Sequence, residues 1–179
     1  MEVEEKYREL IEYAVEIMSK IEDPKHSISH MKSVVKYTKQ ILEEEKDADK
    51  EVCIISAYFH DVGRFFQDEG HEKISADLLV KKMRELGYDD ILIDSCYKAI
   101  INHSWKDKPE TLEGLIIRDA DKIDFVGINR WERCIKNNIS MDDIIELLPT
   151  LRNDILSLEI SRKIYDIERA KLIKYLLSR

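Results

Sequence analysis

The sequence has 179 residues, of which 44% are hydrophobic and 37% are charged. That composition excludes an intrinsically disordered chain, and the length predicts a single globular domain covering residues 1–179. The formal net charge of −8 repels nucleic acid backbones, so we expect no non-specific binding to DNA or RNA.

The first half of the chain is predicted to form five helices, from the spacing of its apolar residues. Only 5 glycines and 3 prolines occur in the whole sequence, which favours long helices over a turn-rich β fold. Gly63 and Gly87 are predicted to end the third and fourth helices, and Asp89 and Asp90 to cap the fifth. The predicted helices cover residues 7–21, 28–42, 51–63, 74–86 and 90–101.

The second half is predicted to continue with shorter helical segments and a long amphipathic helix. An apolar segment from Leu112 to Ile117 leads to Asp119-Ala120-Asp121-Lys122, and short helices continue towards Pro149. The long helix should run from about residue 150 to the end, with an apolar stripe that packs on its own domain or on a second copy of the chain. We find no convincing strand pair, repeat or linker. The sequence therefore predicts a compact all-α domain with a long C-terminal helix, and a homodimer is left open.

The cysteines and the hydrophobic runs bear on where the protein resides. Cys53, Cys96 and Cys134 are odd in number and widely spaced, so they fit neither a disulfide framework nor a CxxC zinc site. Residues 1–5 are mostly acidic and continue as an amphipathic helix, unlike a signal peptide. No run approaches the roughly 18 to 20 apolar residues that span a bilayer. We expect a soluble cytoplasmic protein with no membrane partner.

The adjacent pair His60-Asp61 is the most informative feature of the sequence. It ends the third predicted helix, which is apolar on nearly all sides and so belongs in the interior. An imidazole and a carboxylate at the edge of a core are costly unless they are hydrogen-bonded or bind a cation. A divalent metal satisfies both, because both groups are ligands of first-row metals.

The other histidines are also placed at or near apolar helix faces. His30 shares a face with Val34 and Tyr37, His71 lies at the start of the fourth helix, and His103 lies at the end of the fifth. A single histidine on an apolar face is more often a hydrogen-bonded core residue than a ligand. Several such groups in one domain favour a shared metal, but spacing alone leaves both interpretations open.

Four segments in order resemble the HD superfamily of metal-dependent phosphohydrolases, over roughly residues 23–130. They are His30, the stretch Ala57-Tyr58-Phe59-His60-Asp61-Val62-Gly63-Arg64, the stretch Ile100-Ile101-Asn102-His103-Ser104, and the stretch Arg118-Asp119-Ala120-Asp121-Lys122-Ile123-Asp124. The resemblance implies a helical domain in which His30, His60, Asp61 and Asp121 hold one divalent ion. Asp121, which follows the small residue Ala120, matches the family's ligand better than Asp119, which we expect to be solvated or to support the site from outside. Mn, Fe, Co, Ni, Zn and Mg are not distinguished.

The resemblance gives His71 and His103 one of two roles. In two-metal family members, two further histidines bind a second ion and the HD aspartate bridges the ions. Beside a single ion, His71 and His103 would instead contact substrate or donate a proton. His71 comes only ten residues after Asp61, a short interval for a ligand. His26 is expected in a surface loop or at the rim of the site.

Arg64 and Lys122 are predicted to bind the phosphate of the substrate. Arg64 lies one turn after His60 and offers a planar fork, and Lys122 is next to Asp121. The alternative is that both are exposed basic residues paired with some of the many acids.

The resemblance implies hydrolysis of a phosphoester or phosphoanhydride of a small molecule, such as a nucleotide, by a metal-activated water. Family members with a catalytic acid just after the HD pair are not matched, because Arg64-Phe65-Phe66-Gln67 stands there. Glu69 and Glu72 lie nearby without a positional match, and Asp124 could support the site or be exposed. Two alternatives remain: a di-iron oxygenase of the HD type, and a non-catalytic nucleotide-binding module.

Overall fold

The computed structural model describes residues 2–104 and 108–178, and every regular element in these ranges is a helix. No strand occurs in them, which confirms the all-α fold class. None of the described helices has the length and apolar character that crossing a membrane requires. The α-helices are α1 (Val3–Lys6), α2 (Arg8–Met18), α3 (Ile28–Ile41), α4 (Lys50–Phe59), α5 (His71–Glu85), α6 (Asp90–Ile101), α7 (Leu112–Ile123), α8 (Ile128–Lys136), α9 (Asp142–Thr150) and α10 (Glu159–Leu177).

Helix α4 lies at the centre of the bundle because its residues are buried on every side. It packs against α2, α3, α6 and α7. Ile55 and Phe59 belong to an apolar cluster shared with α2, α5 and α6, whereas Cys53 and Ala57 belong to a second cluster formed with α3, α7 and α10. The C-terminal end of α4 therefore opens at a point where several helices meet, and His60 and Asp61 follow directly there.

The helices predicted for the first half of the chain correspond to α2 to α6, with shifted ends. The first runs from Arg8 to Met18 rather than over residues 7–21, and Tyr7, where φ is −110°, separates it from the short helix α1. Gly87 ends the α5 segment with φ of 76°, as predicted, and the side chain of Asp89 accepts the N–H of Leu92 at the start of α6. The three cysteines are buried free thiols, as expected for small core residues.

The predicted start of the long C-terminal helix near residue 150 is wrong. Helix α9 ends at Thr150, a π-helical turn follows, and the backbone is extended at Leu156 before α10 begins. The carboxylate of Asp119 accepts the backbone N–H groups of Ser157 and Leu158, which separates α10 from the turn. Tyr165 and Leu172 of α10 are buried in the second apolar cluster, so the helix packs on its own domain.

Gly63 was predicted to end the third helix, but α4 ends at Phe59 and Gly63 lies inside a 3₁₀ turn, Val62–Phe65. Its role is close packing: its N–H donates to Ser75 Oγ at 2.9 Å on α5. A Cβ at this position would overlap the carbonyl oxygen of His71 and lie 2.9 Å from the backbone nitrogen of Ser75. This contact brings the first turn of α5 against the HD pair, which explains how His71 reaches Asp61 across a short interval.

We predict that Gly63→Ala destabilises the protein by about 1–3 kcal/mol or more, because the new methyl group forces α5 away from the turn. Urea denaturation followed by circular dichroism measures the free energy of unfolding. Lys81→Ala, on the exposed side of α5, is the control and should stay within about 0.5 kcal/mol of the wild type. A Gly63→Ala protein as stable as this control would contradict the close packing described here.

Candidate metal centre

His30, His60 and Asp61 meet in the interior although His30 lies in α3 and the other two follow α4. His30 lies in the first turn of α3, and its Nε2 is 3.2 Å from His60 Nε2 and 3.5 Å from Asp61 Oδ2. All three side chains are buried. One ligand atom from each lies within 4.8 Å of the other two, so the three could hold a single metal ion.

Asp121 joins this group from the last turn of α7. Its Oδ1 is 3.3 Å from His30 Nε2, and its Oδ2 accepts a hydrogen bond from the ammonium group of Lys122. The structure thus brings together the four residues that the resemblance implied as ligands of one ion.

His71 and His103 form a second group on the other side of Asp61. His71 is the first residue of α5, and His103 follows α6, one residue beyond its C-cap rather than in its last turn. Their Nε2 atoms lie 3.0 Å and 3.8 Å from Asp61 Oδ1. Because Oδ2 of Asp61 faces His30 and His60 at 3.5 Å and 3.7 Å, the two oxygens face different histidine pairs. Asp61 could therefore contribute an oxygen to an ion held by either histidine pair.

The four histidines turn the same nitrogen towards Asp61 because the opposite nitrogen is engaged in each. The Nδ1–H groups of His60, His71 and His103 donate to the carbonyl oxygens of Ala57, Asp68 and Ile100 at 2.9, 2.8 and 2.7 Å. His30 donates from Nδ1 to the carboxylate of Asp124 at 2.8 Å. A carbonyl oxygen can only accept, so in the neutral ring the Nε2 lone pair faces the centre, as metal binding requires.

The charge states of the site follow from burial and from these contacts. Burial disfavours the charged ring of His30, but hydrogen bonds to Asp121 and Asp124 outweigh it and raise the pKa to about 10. Burial lowers the pKa of His60 to about 3. Burial alone would raise the pKa of Asp61, but the neighbouring imidazoles hold it well below the usual value. The site therefore presents ionised carboxylates and a neutral His60 at neutral pH.

A buried polar atom without a hydrogen bond provides a test of whether a cation fits. His71 Nε2 is buried and has no hydrogen-bond partner, although Asp61 Oδ1 lies 3.0 Å away. An imidazole nitrogen and a carboxylate oxygen that approach without hydrogen-bond alignment are suited to sharing a metal ion. The imidazole and carboxylate donors present at this site therefore suit a divalent first-row metal ion.

A cleft of about 350 Å³ opens above the second group, and Arg64 and Lys122 line it together with His71, His103 and Asp121. Arg64 is held by two carboxylates: its Nε is 2.9 Å from Asp61 Oδ1 and its Nη1 is 3.2 Å from Asp68 Oδ1. Lys122 is buried and paired with Asp121. Neither is a freely exposed basic residue, because both lie at the wall of the cleft.

His26 and Glu72 also lie near the centre. The ring of His26 stands edge-on to that of His30 at 5.9 Å, and its Nδ1 is 2.6 Å from Asp23 Oδ2, which places it at the rim. Glu72, half-buried in α5, and the exposed Glu69 line the cleft. In the sequence, Glu69 and Glu72 were near the HD pair without a positional match, which is too weak a signal to assign a role.

Asp119 differs from what the sequence suggested, and Asp124 has one of the two roles that the sequence left open. Asp119 is fully buried, and burial raises the pKa of its carboxyl even though it accepts N–H groups at the start of α10. It therefore supports the C-terminal helix and is neither solvated nor a partner of the site. Asp124, left open as exposed or supporting, is fully buried and bonded to His30.

The profile of the HD domain family matches residues 27–125. Among curated proteins, none matches the sequence. Three solved structures share the fold. A predicted HD superfamily hydrolase from an uncultured Thermotogales bacterium is 24% identical with a TM-score of 0.76, covering 96% of this chain and 89% of its own. The Lin1889 protein of Listeria innocua is 18% identical with a TM-score of 0.66, and Bacillus subtilis YpgQ in complex with ADP is 16% identical with a TM-score of 0.71; each covers 99% of this chain and 95% of its own.

We predict that the protein binds two Mn²⁺ ions and that His30→Ala and His71→Ala each remove one of them. The reason is that each variant breaks one histidine group and leaves the other with Asp61. Calorimetric titration of chelator-treated protein with Mn²⁺ measures the stoichiometry. His26→Ala is the control and should still bind two ions, because His26 is in neither group. A His71→Ala protein with unchanged stoichiometry would refute the second site.

We also predict that filling the first site releases about one proton at neutral pH, and that it comes from His30. With its pKa raised to about 10, His30 is protonated before the ion binds, whereas His60, with a pKa of about 3, and the carboxylates carry no proton to lose. The apparent affinity of the first site for Mn²⁺ should then rise by up to about tenfold per pH unit between roughly pH 7 and pH 9. Titrations in buffers of different ionisation enthalpy count the protons, and no release with a flat pH dependence would contradict these charge states.

Proposed function

The chain belongs to the HD domain family, and from this premise we propose that it is a metal-dependent phosphohydrolase acting on a phosphoester or phosphoanhydride of a small molecule. The observation that carries the proposal is the arrangement of two histidine groups around the carboxylate of Asp61 beneath a cleft that Arg64 and Lys122 line. When bound, divalent ions would supply a nucleophilic hydroxide at neutral pH and would withdraw charge from phosphoryl oxygens.

The chain's own residues supply positioning and positive charge, which are the main requirements of phosphoryl transfer. Arg64 offers a planar guanidinium that is already oriented by Asp61 and Asp68, so little side-chain freedom is lost when it binds a phosphate. Lys122 adds an ammonium group on the Asp121 side of the cleft. Together the two cations can hold phosphoryl oxygens from two sides.

We propose that His71 and His103 hold a second ion. Each uses its Nδ1–H on a backbone carbonyl, so the nitrogen that faces the site carries the lone pair in the neutral ring. In the neutral ring that nitrogen can accept a bond from a metal. Burial disfavours the charged ring of His71, but the contact with Asp61 outweighs it and raises the pKa of His71, so an ion that binds there competes with a proton. The bridging position of Asp61 between the two groups supports the same assignment.

The substrate is proposed to be a nucleotide. A cleft of about 350 Å³ is within the range of small-molecule sites. Glu69 and Glu72 at the cleft offer carboxylates that can accept hydrogen bonds from sugar hydroxyls or from amino groups of a base. YpgQ, which shares the fold, was solved in complex with ADP.

The proposal predicts Mn²⁺-dependent release of phosphate or pyrophosphate from nucleoside mono-, di- or triphosphates, and its loss in Asp61→Ala. Removal of the bridging carboxylate disrupts both groups, so activity should fall to the level of the metal-free protein. Arg64→Ala should lower kcat/KM by about 10- to 100-fold, as expected for loss of a charge-assisted hydrogen bond of roughly 1.5–3 kcal/mol. A panel of nucleotides and p-nitrophenyl phosphate, followed by ion chromatography, measures both effects.

Lys81→Ala and Arg84→Ala are the matched controls. Both side chains are exposed on α5 and neither lines the cleft, so neither variant should affect the dependence on metal. Equal activity of Asp61→Ala and the wild type would reject the phosphohydrolase. Iron-dependent oxygen consumption with an organic substrate would favour the di-iron oxygenase, and tight nucleotide binding without turnover at any metal loading would favour a binding module.

A further inference from the structure

His30 differs from the other three histidines of the centre in what holds its outer nitrogen. His60, His71 and His103 donate to backbone carbonyls, whereas His30 donates to the side chain of Asp124 at 2.8 Å. The carbonyls of Ala57 and Ile100 are fixed within α4 and α6, and that of Asp68 lies in the backbone just before α5. A side-chain carboxylate needs further partners to keep its position, so the orientation of the His30 ring depends on what surrounds Asp124.

Asp124 is fully buried, and two arginines of α8 surround it. Arg130 Nη1 lies 3.4 Å and Arg133 Nη2 lies 3.7 Å from Asp124 Oδ2, the same oxygen that accepts from His30. The Arg130 side chain is only 3% exposed, so this is an interior charge cluster rather than a surface ion pair. A buried carboxylate is stable only with such compensation.

The same two arginines also bind the segment that leads into α3. Arg130 Nη1 donates to the carbonyl oxygen of Lys25 at 3.2 Å, and Arg133 Nε donates to that of Pro24 at 2.9 Å. Arg133 Nη1 donates to Ser29 Oγ at 2.9 Å, one residue before His30. Helix α8 therefore holds both the backbone around His30 and the carboxylate behind its ring.

We propose that Arg130 and Arg133 are positioning residues of the metal centre, which act through Asp124 to hold the His30 ring with Nε2 aimed at the ion. Helix α8 lies beyond residues 27–125, the part that the family profile matches. This assignment makes α8 part of the centre in this protein. It goes beyond the proposed function, because it requires an ion at His30 but not any particular reaction.

The test measures Mn²⁺ binding to the full chain by calorimetry, with Asp124→Asn, Arg130→Gln, Arg133→Gln and the double variant Asp124→Asn/Arg133→Gln. Asp124→Asn should weaken the His30 site by roughly 10- to 100-fold, the usual effect of losing the outer partner of a metal-bound histidine. Each arginine variant should weaken the same site, by about tenfold. Binding at the His71 and His103 group should change little in all of them.

The double variant separates positioning from general destabilisation. If Arg133 acts mainly through Asp124, replacing it in the Asp124→Asn protein should weaken Mn²⁺ binding much less than it does in the wild type, whereas independent effects would multiply. Arg162→Gln is the control, because Arg162 also donates to a backbone carbonyl, that of Leu156, but has no contact with Asp124. Arg130→Lys, which keeps the charge, replaces Arg130→Gln if the latter does not fold.

The proposal would be overturned if both arginine variants bound Mn²⁺ at the His30 site as tightly as the wild type. It would also be overturned if the loss of affinity in the double variant equalled the product of the two single losses. Equal weakening of both ion sites would also overturn it, since that result indicates a loss of overall stability. A wild-type protein that binds no Mn²⁺ would reject the centre itself, and it would do so before any variant is compared. Failure of the proposed hydrolysis alone would leave these binding measurements and their outcome unaffected.

Discussion

The structure depends on one buried carboxylate, that of Asp61, which is only 2% exposed and has an imidazole pair on each side. A group of this kind is stable in a protein interior only when opposite charge surrounds it. The protein brings it there because α4 is apolar on every side and must lie at the centre, so that its C-terminal end meets the ends of the surrounding helices. The position of the site is a consequence of the burial of α4.

The segment at the end of α7 connects this centre to the rest of the domain. Asp119 faces away from the site and binds the N–H groups that precede α10. Asp121 faces the site, and Asp124 lies behind His30 against α8. Three carboxylates within six residues thus have three different partners, which couples the ligand set to the packing of the C-terminal helices.

Much of the fold and of the site could be predicted from the sequence. The remaining parts could not be predicted, for physical reasons. Helical periodicity located α3 and α5 because one face of each is buried, and ordered matches to a known family indicated His30, His60, Asp61 and Asp121. The break before α10 was missed, since it depends on hydrogen bonds that the backbone there donates to Asp119, which is distant in sequence. The role of Gly63 was also missed, because close packing against α5 leaves no local pattern. Arg130 and Arg133 looked like ordinary charged residues of a short helix, and only the fold places them beside Asp124.

The most direct test of the central claim is anomalous diffraction from crystals grown with Mn²⁺. We expect two anomalous peaks, one within bonding distance of the Nε2 atoms of His30 and His60 and one within bonding distance of those of His71 and His103, with an oxygen of Asp61 bound to each. Peaks located elsewhere, or an Asp61 carboxylate that contacts no ion at saturating Mn²⁺, would contradict the account.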